Sequence, residues 1–356
     1  MALGCKTVWS SASRKQLSRL LRDQKPDLVH FHNTFPLISP AAYYSCRDLG
    51  IPVVQTLHNF RLLCPAATFF RDGKVCEECL HRSRWQAVRH ACYRDSRSAT
   101  CAVTAMIQIH GWLNTWNELV SSYVVLSEYS RQKFLAGGLP ARKMTVKPNF
   151  VLPDPGVGAR GNKQEFAIFV GRISEEKGIR TLLQAWKGVR TGVLVILGDG
   201  PLRAELTEET RRMGIANVQW EGRLPQASVF ELVQRARVLV VPSECYENFP
   251  MTIAEAYACG TPVIASRLGA MQELVHDGET GLQFTPGDSD DLASKLEWAF
   301  SRPDKMSEMG RRARSEYEAK YTAKHNYMAL LNIYGQAIEE PSNQVQDAPR
   351  VLNVAT

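Results

Sequence analysis

Two carboxylates eight positions apart, Glu247 and Glu255, lie in the stretch SECYENFPMTIAEAYACGTP (243–262). On one helix they would stand about 80° apart around the axis and about 12 Å apart along it. Pro250 suits the first turn of a helix and breaks its interior, so Glu247 is expected in a loop and Glu255 on the second turn of the helix that follows. The backbone amides of Met251 and Thr252 would then be free to bind phosphate or sugar oxygens. Upstream, FAIFVGRISEEKG places Arg172 at the end of an apolar run and Lys177-Gly178 at the start of a helix. A guanidinium and an ammonium beside a helix amino terminus suit a diphosphate, Arg as a bidentate fork and Lys as a point charge. A salt-bridged helix start involving Glu175 and Glu176 is the competing reading. Carboxylates close to a diphosphate would repel it, so Glu247 and Glu255 suit hydroxyl donors instead, one acid for each sugar of a nucleotide-sugar. A hydrolytic acid/base pair leaves the two cations without a role.

These groups need elements to position them. Apolar runs at 26–32, 52–57, 123–127, 166–171, 193–198, 238–243 and 262–266 alternate with helix-period segments. Near-continuous apolar strands between helices predict parallel sheets covered on both faces. The Pro/Gly-rich stretch 148–162 reads as an interdomain linker. The expected organisation is an acceptor-side domain over 1–150 with a Cys-rich insertion at 60–97, a donor domain over 151–320, a helix over 321–340 and a tail over 341–356. Two doubly wound domains would face each other across a crevice at the carboxyl ends of their strands. In LGDGPLRAEL, Gly198-Asp199-Gly200 reads as a tight turn into a helix, and Arg203 stands where a dinucleotide fingerprint needs its third glycine.

The 356 residues suffice for two domains. No run approaches the length of apolar chain that spans a bilayer, the amino terminus carries no secretory pattern, and the cytoplasm is the expected compartment. Charge is uneven: residues 1–150 carry 20 Lys+Arg against 9 Asp+Glu, within a chain of net +7. An anionic partner near the first half follows; no nucleic-acid-binding pattern is present.

The motifs GRISEEKG, LGDGPLR, EGRLP and E-x7-E within YENFPMTIAEAYACGTPVIAS, with TLHNFRLLCP, LSEYSRQKF and VKPNFV in the first half, resemble the family 4 retaining glycosyltransferases of the GT-B fold. The resemblance implies that Arg172 and Lys177 bind the donor diphosphate and offset the charge of the leaving nucleotide. It implies that Glu255 holds the ribose and Glu247 the transferred hexose, with Asn248, Phe249 and Pro250 along that sugar and the Arg223-Leu224 loop against the base. His58 matches the family's crevice histidine near the anomeric centre. Such enzymes need no metal or other cofactor for catalysis, and Asp288-Ser289-Asp290 reads as a capped helix start. Compared with the family, the first βα unit and its Gly-rich loop are missing from the first domain, which would leave its sheet poorly packed.

Four cysteines, Cys64, Cys76, Cys79 and Cys92, have the spacing C-x11-C-x2-C-x12-C. They suit a structural zinc site, with His81 and His90 as substitutes; reduced thiols without metal are the alternative. Residues 81–97 interleave Arg82, Arg84, Trp85, Arg89, Tyr93, Arg94 and Arg97, which suits either packing on the domain or an anionic membrane surface at the inner membrane face. The resulting expectation is transfer of a hexose, with retention, from a UDP- or GDP-linked donor to a glycan or polyprenyl-diphosphate-linked acceptor in surface polysaccharide synthesis. The rivals are a non-catalytic nucleotide-sugar-binding partner or inactive fragment, and a GT-B UDP-sugar epimerase.

Overall fold

The computed structural model describes residues 2–158 and 164–339. The tail and part of the linker lie outside these residues. Two parallel sheets carry the fold. The first has the order β1 (Val29–Phe31), β2 (Val53–Thr56), β5 (Ser122–Val125), β6 (Met144–Val146); a small hairpin, β3 (Phe70–Arg71) and β4 (Lys74–Val75), lies in the insertion. The second has the order β12 (Gly281–Phe284), β11 (Val263–Ser266), β10 (Val238–Val241), β7 (Phe166–Val170), β8 (Val193–Leu197), β9 (Val218–Gly222). Every pair within these two sheets is parallel.

Parallel strands joined through helices are covered on both faces, and alternate residues here enter different cores. In the second sheet Ile168, Val195, Leu239 and Val263 point into one cluster with the helix Met251–Ala258. Ala167, Leu194, Val240 and Ile264 point into the other, against the helices Ile179–Trp186 and Ser289–Ser301. The first sheet is an uninterrupted ladder. Its strand β1 is a half-buried edge, while β2 is buried throughout. Val53, Tyr123 and Met144 meet the domain's own helices and insertion.

The other face of that sheet is covered from far along the chain. Ile333 and Ala337 of the helix Ala323–Glu339 pack on Val54 and Val124. The chain crosses between domains twice, and the crossings touch: Val151 bridges Thr322, Val151 N–H donates to Tyr321 O, and Asn326 Nδ2 donates to Pro148 O at 2.6 Å. Among the described residues no helix is long and apolar enough to cross a membrane.

Candidate functional site

In the second domain the site is built from loops at the carboxyl ends of β7, β8 and β9. Gly198 sits at φ +134°, and a Cβ there would fall 1.8 Å from Gly171 O; only glycine lets these two loops touch. Gly171 N–H bonds Leu197 O, Ile173 N–H bonds Asp199 O, and Gly198 N–H bonds Gly222 O. The three loops thus form a cavity of about 610 Å³ lined by Arg172, Asp199, Arg223 and Leu224. Arg172 is exposed at its edge.

Lys177 ends a single 3-10 turn, Glu175–Lys177, and the helix begins only at Ile179. Gly178 between them has φ +64° and lies against Pro242 O. The sequence placed Lys177-Gly178 at the helix start; the left-handed glycine shifts that start by one residue. Its ammonium does not pair with Glu175 or Glu176, which are engaged by Arg180 and Ser174. It meets Glu247 Oε1 at 2.5 Å, and Ser243 Oγ donates to the same oxygen at 2.8 Å. Burial opposes the Lys177 charge, but the Glu247 carboxylate outweighs it and holds the amine above its ordinary value.

Glu247 lies in the loop and Glu255 on the second turn of the helix Met251–Ala258, whose first residues are the half-buried Met251 and Thr252. Five of the eight residues in that helix are buried and apolar, so Glu255 is its one charged group. Burial pushes its carboxyl up, and among the described residues nothing donates a hydrogen bond to it.

Asn248, Phe249 and Pro250, expected along a sugar, are all buried. Asn248 Nδ2 donates to Leu57 O at 2.5 Å, and Ser127 Oγ and Ser130 Oγ donate back to Asn248 O at 3.0 and 3.1 Å. Phe249 packs edge-on against Tyr321. Asn248 thus latches this loop to the first domain, one residue from His58.

His58 faces the crevice within a cluster that the sequence reading did not single out. His32 Nδ1 and His58 Nε2 are 2.8 Å apart, and the His30 and His32 rings stack at 4.3 Å. His30 Nδ1 bonds the Tyr334 hydroxyl and its Nε2 the Thr56 hydroxyl, both at 2.7 Å. Burial, then the neighbouring cations, lowers all three imidazoles, His30 to about 4. The signal lay in VHFH: residues two apart on a strand share a face, so His30 and His32 had to stand together.

The insertion holds Cys64, Cys76, Cys79 and Cys92 as free thiols. Among the described residues no three His, Cys, Asp or Glu side chains stand so as to hold a metal ion. His81 and His90 turn instead to Glu77 and Glu78. Glu77, between Cys76 and Cys79, meets Lys133 Nζ at 2.5 Å. Lys133 lies 4.9 Å from the Tyr246 ring centroid, beside Glu247 in sequence. Burial opposes the Glu77 charge, yet hydrogen bonds from Lys133, Tyr246 and His81 hold its carboxyl below the usual range. Of the basic–aromatic residues, Arg84 bonds Gln108 and Tyr93 meets Phe35 edge-on, while Arg82, Trp85, Arg89, Arg94 and Arg97 are exposed. Asp288 caps its helix by accepting from the Asp290 and Asp291 amides.

Two parallel α/β domains of this kind make up the GT-B fold. The solved structures it is similar to include Anabaena HepE in complex with UDP (TM-score 0.68, 18% identity, covering 90% of this chain and 82% of that one). Sucrose-phosphate synthase from Thermosynechococcus elongatus is another (TM-score 0.69, 20% identity, 92% and 77% covered). The "Glycosyltransferase Family 4" model matches residues 3–154 and the "Glycosyl transferases group 1" model residues 154–316. The D-inositol 3-phosphate glycosyltransferase of Gordonia bronchialis is 31% identical over 346 residues, 90% of this chain and 68% of that protein. D-rhamnosyltransferase WbpZ of Pseudomonas aeruginosa is 34% identical over 160 residues, 44% of this chain and 42% of that protein. The O-antigen chain mannosyltransferase C of Escherichia coli is 31% identical over 179 residues, 50% and 48% covered. The chain thus spans under half the length of these last two relatives. It belongs to the family 4, group 1 glycosyltransferases.

Proposed function

We propose that the chain transfers a hexose, with retention, from a UDP- or GDP-linked donor to a glycan or polyprenyl-diphosphate-linked acceptor in surface polysaccharide synthesis. The observation that carries this reading is the Lys177–Glu247 contact beside the Asn248 latch: an ammonium fit for a phosphate and a carboxylate fit for a sugar meet where the two domains touch. Relatives named for rhamnosyl and mannosyl transfer support the substrate class. In the transfer, the bond from the anomeric carbon to the leaving phosphate oxygen breaks as the acceptor oxygen attacks from the same face, and the acceptor proton passes to that phosphate oxygen. Arg172 and Lys177 steady the diphosphate charge as it develops, Glu247 and Glu255 hold hydroxyls of hexose and ribose, Arg223-Leu224 borders the base, and His58 lines the crevice at the reacting end. Work on the cytoplasmic side, with membrane contact through Arg82, Trp85 and Arg89, fits a lipid-linked acceptor. A structural zinc held by the four cysteines would need their sulfurs to turn toward a common centre, and the zinc content of the purified chain tests it.

Calorimetry with UDP- and GDP-hexoses, paired with nucleotide release, tests the function. Lys177→Met is expected to weaken the preferred donor about tenfold or more, the loss typical of a hydrogen bond to a charged group. Binding without turnover on any acceptor would favour a nucleotide-sugar-binding partner over an enzyme, and no binding by the native chain would overturn the reading.

A further inference from the structure

The helix Glu128–Ala136 of the first domain starts where that domain meets the second. The first amides of a helix have no partner within it. Here Ser127 Oγ accepts from the Ser130 amide at 3.1 Å, as an N-cap side chain does, and the Arg131 amide reaches Ser127 O. The two amides left between, those of Glu128 and Tyr129, are taken by one carboxylate from the second domain. Glu273 Oε1 accepts from Glu128 N at 3.0 Å, and its Oε2 accepts from Tyr129 N at 2.8 Å. The helix's own first-turn acid serves neither, because Glu128 is turned to Arg131 and Gln132.

Two charge-assisted bonds, made at the positive end of the helix dipole, give this contact a direction. Glu273 lies on the short helix Gly269–Leu274, and the rings of Tyr129 and Tyr246 close on its first residue. A Cβ at Gly269 would stand 3.3 Å from one ring and 3.4 Å from the other. Tyr246 opens the loop that carries Glu247 and Asn248. The buried Ser127 and Ser130 hydroxyls both donate to Asn248 O, while Asn248 Nδ2 donates to Leu57 O, next to His58. One turn of a first-domain helix is therefore gripped by two segments of the second domain. The Glu247 loop is fixed to that turn on one side and to the end of the His58 strand on the other.

We propose that Glu273 is a positioning residue for glycosyl transfer: by holding the first turn of the helix Glu128–Ala136, it keeps Asn248 seated between that helix and Leu57, and so keeps Glu247 in register with His58. The proposal rests on the glycosyltransferase reading and adds to it a residue that does not line the 610 Å³ cavity. Under that reading Arg172, Lys177, Glu247 and Glu255 serve the donor, and all four stand on the second domain; His58 stands on the first. Releasing Glu273 leaves the donor's groups together and disturbs only their relation to His58. A misplacement on the order of 1 Å at that point costs turnover heavily. The mark of such a role is a loss of kcat at constant donor affinity.

The test compares the native full chain with Glu273→Ala, Glu273→Gln, Asn248→Ala and the double alanine variant. Three quantities are measured: the dissociation constant of UDP- and GDP-hexoses, the turnover of the preferred one, and the radius of gyration of the ligand-free chain by small-angle scattering. Glu273→Ala is expected to keep the donor's dissociation constant within about twofold and to lower kcat about tenfold or more. Glu273→Gln keeps one accepting oxygen and should regain part of the loss. The double variant should be no slower than the slower single one, because both changes free the same loop. Glu273→Ala should also have the larger radius of gyration. Glu273 is exposed, so the fold is expected to survive, and thermal unfolding confirms it. Unchanged kcat in Glu273→Ala, an equal fall in donor affinity, or losses that multiply in the double variant would each overturn the proposal. A native chain that turns over no nucleotide-sugar would instead remove the glycosyltransferase reading. Scattering then decides the grip alone: a Glu273→Ala chain of native size would show that Glu273 holds nothing between the domains.

Discussion

At the scale of single residues, the two acids that opened the sequence reading have different fates. Glu247 is paired with the Lys177 ammonium, and on the proposed function a donor would compete for that contact. Among the described residues Glu255 has no such partner, and its raised carboxyl is the mark of burial alone. A carboxyl whose folded value is raised binds its proton more tightly in the folded state. Ionising it therefore subtracts stability above the unfolded value, and the penalty vanishes as pH falls. Hydroxyl recognition runs the other way, because only the ionised group is purely an acceptor. Glu255→Gln is thus expected to keep or raise the melting temperature while weakening the nucleotide-sugar about tenfold. The acid limb of donor binding, lying above the ordinary glutamate range in the native chain, should disappear in this variant. Calorimetry across pH, with thermal unfolding alongside, reads both effects; a lower melting temperature with unchanged affinity would mean a purely structural acid.

At the scale of elements, what the sequence displayed was local. Runs such as VLVVPS and VLVILG announced buried parallel strands because each opens on four or more consecutive aliphatic residues, and both lie within a residue or two of β10 and β8. Strand β6 spans only Met144–Val146, and β12 mixes Gly281 and Gln283 into four residues; neither carries enough pattern to stand out, yet β12 is buried throughout. The Cys-rich insertion was legible as a loop-rich excursion near His58. Its tie to the donor loop was not, because it depends on Glu77 meeting a lysine 56 positions away and, through it, Tyr246. That tie is a strut between the insertion and the second domain. Glu77 and Lys133 have side chains about one-fifth exposed, so the contact is only partly screened. Glu77→Gln and Lys133→Gln are each expected to cost about 1–2 kcal/mol, and the double variant less than the sum, since either change alone breaks the same contact. Urea unfolding of the four species measures the coupling; strict additivity would show that the strut carries no energy.

At the scale of the whole molecule, the two domains are joined by more than a linker. The helix Ala323–Glu339 was readable as a helix, but its destination was not: Tyr334 meets His30 across 304 positions, a distance at which no periodicity carries information. The same helix supplies Ile333 and Ala337 to the face of the first sheet formed by Val54 and Val124. The first domain therefore completes its core with residues that follow the second in the chain. Ile333 is 2% exposed, and cutting a buried isoleucine to alanine costs about 2–5 kcal/mol. Because that cost falls on the cover of the first sheet, Ile333→Ala should lower the melting of the first domain and leave the second, whose clusters it does not enter, near its native temperature. Scanning calorimetry would then show one broadened or split transition where the native chain gives closely coupled unfolding, and a saturating nucleotide-sugar should raise only the upper part. A uniform shift of a single sharp transition would instead mean that the two touching crossings and the Asn248 latch bind the domains into one cooperative unit, with the helix serving both alike.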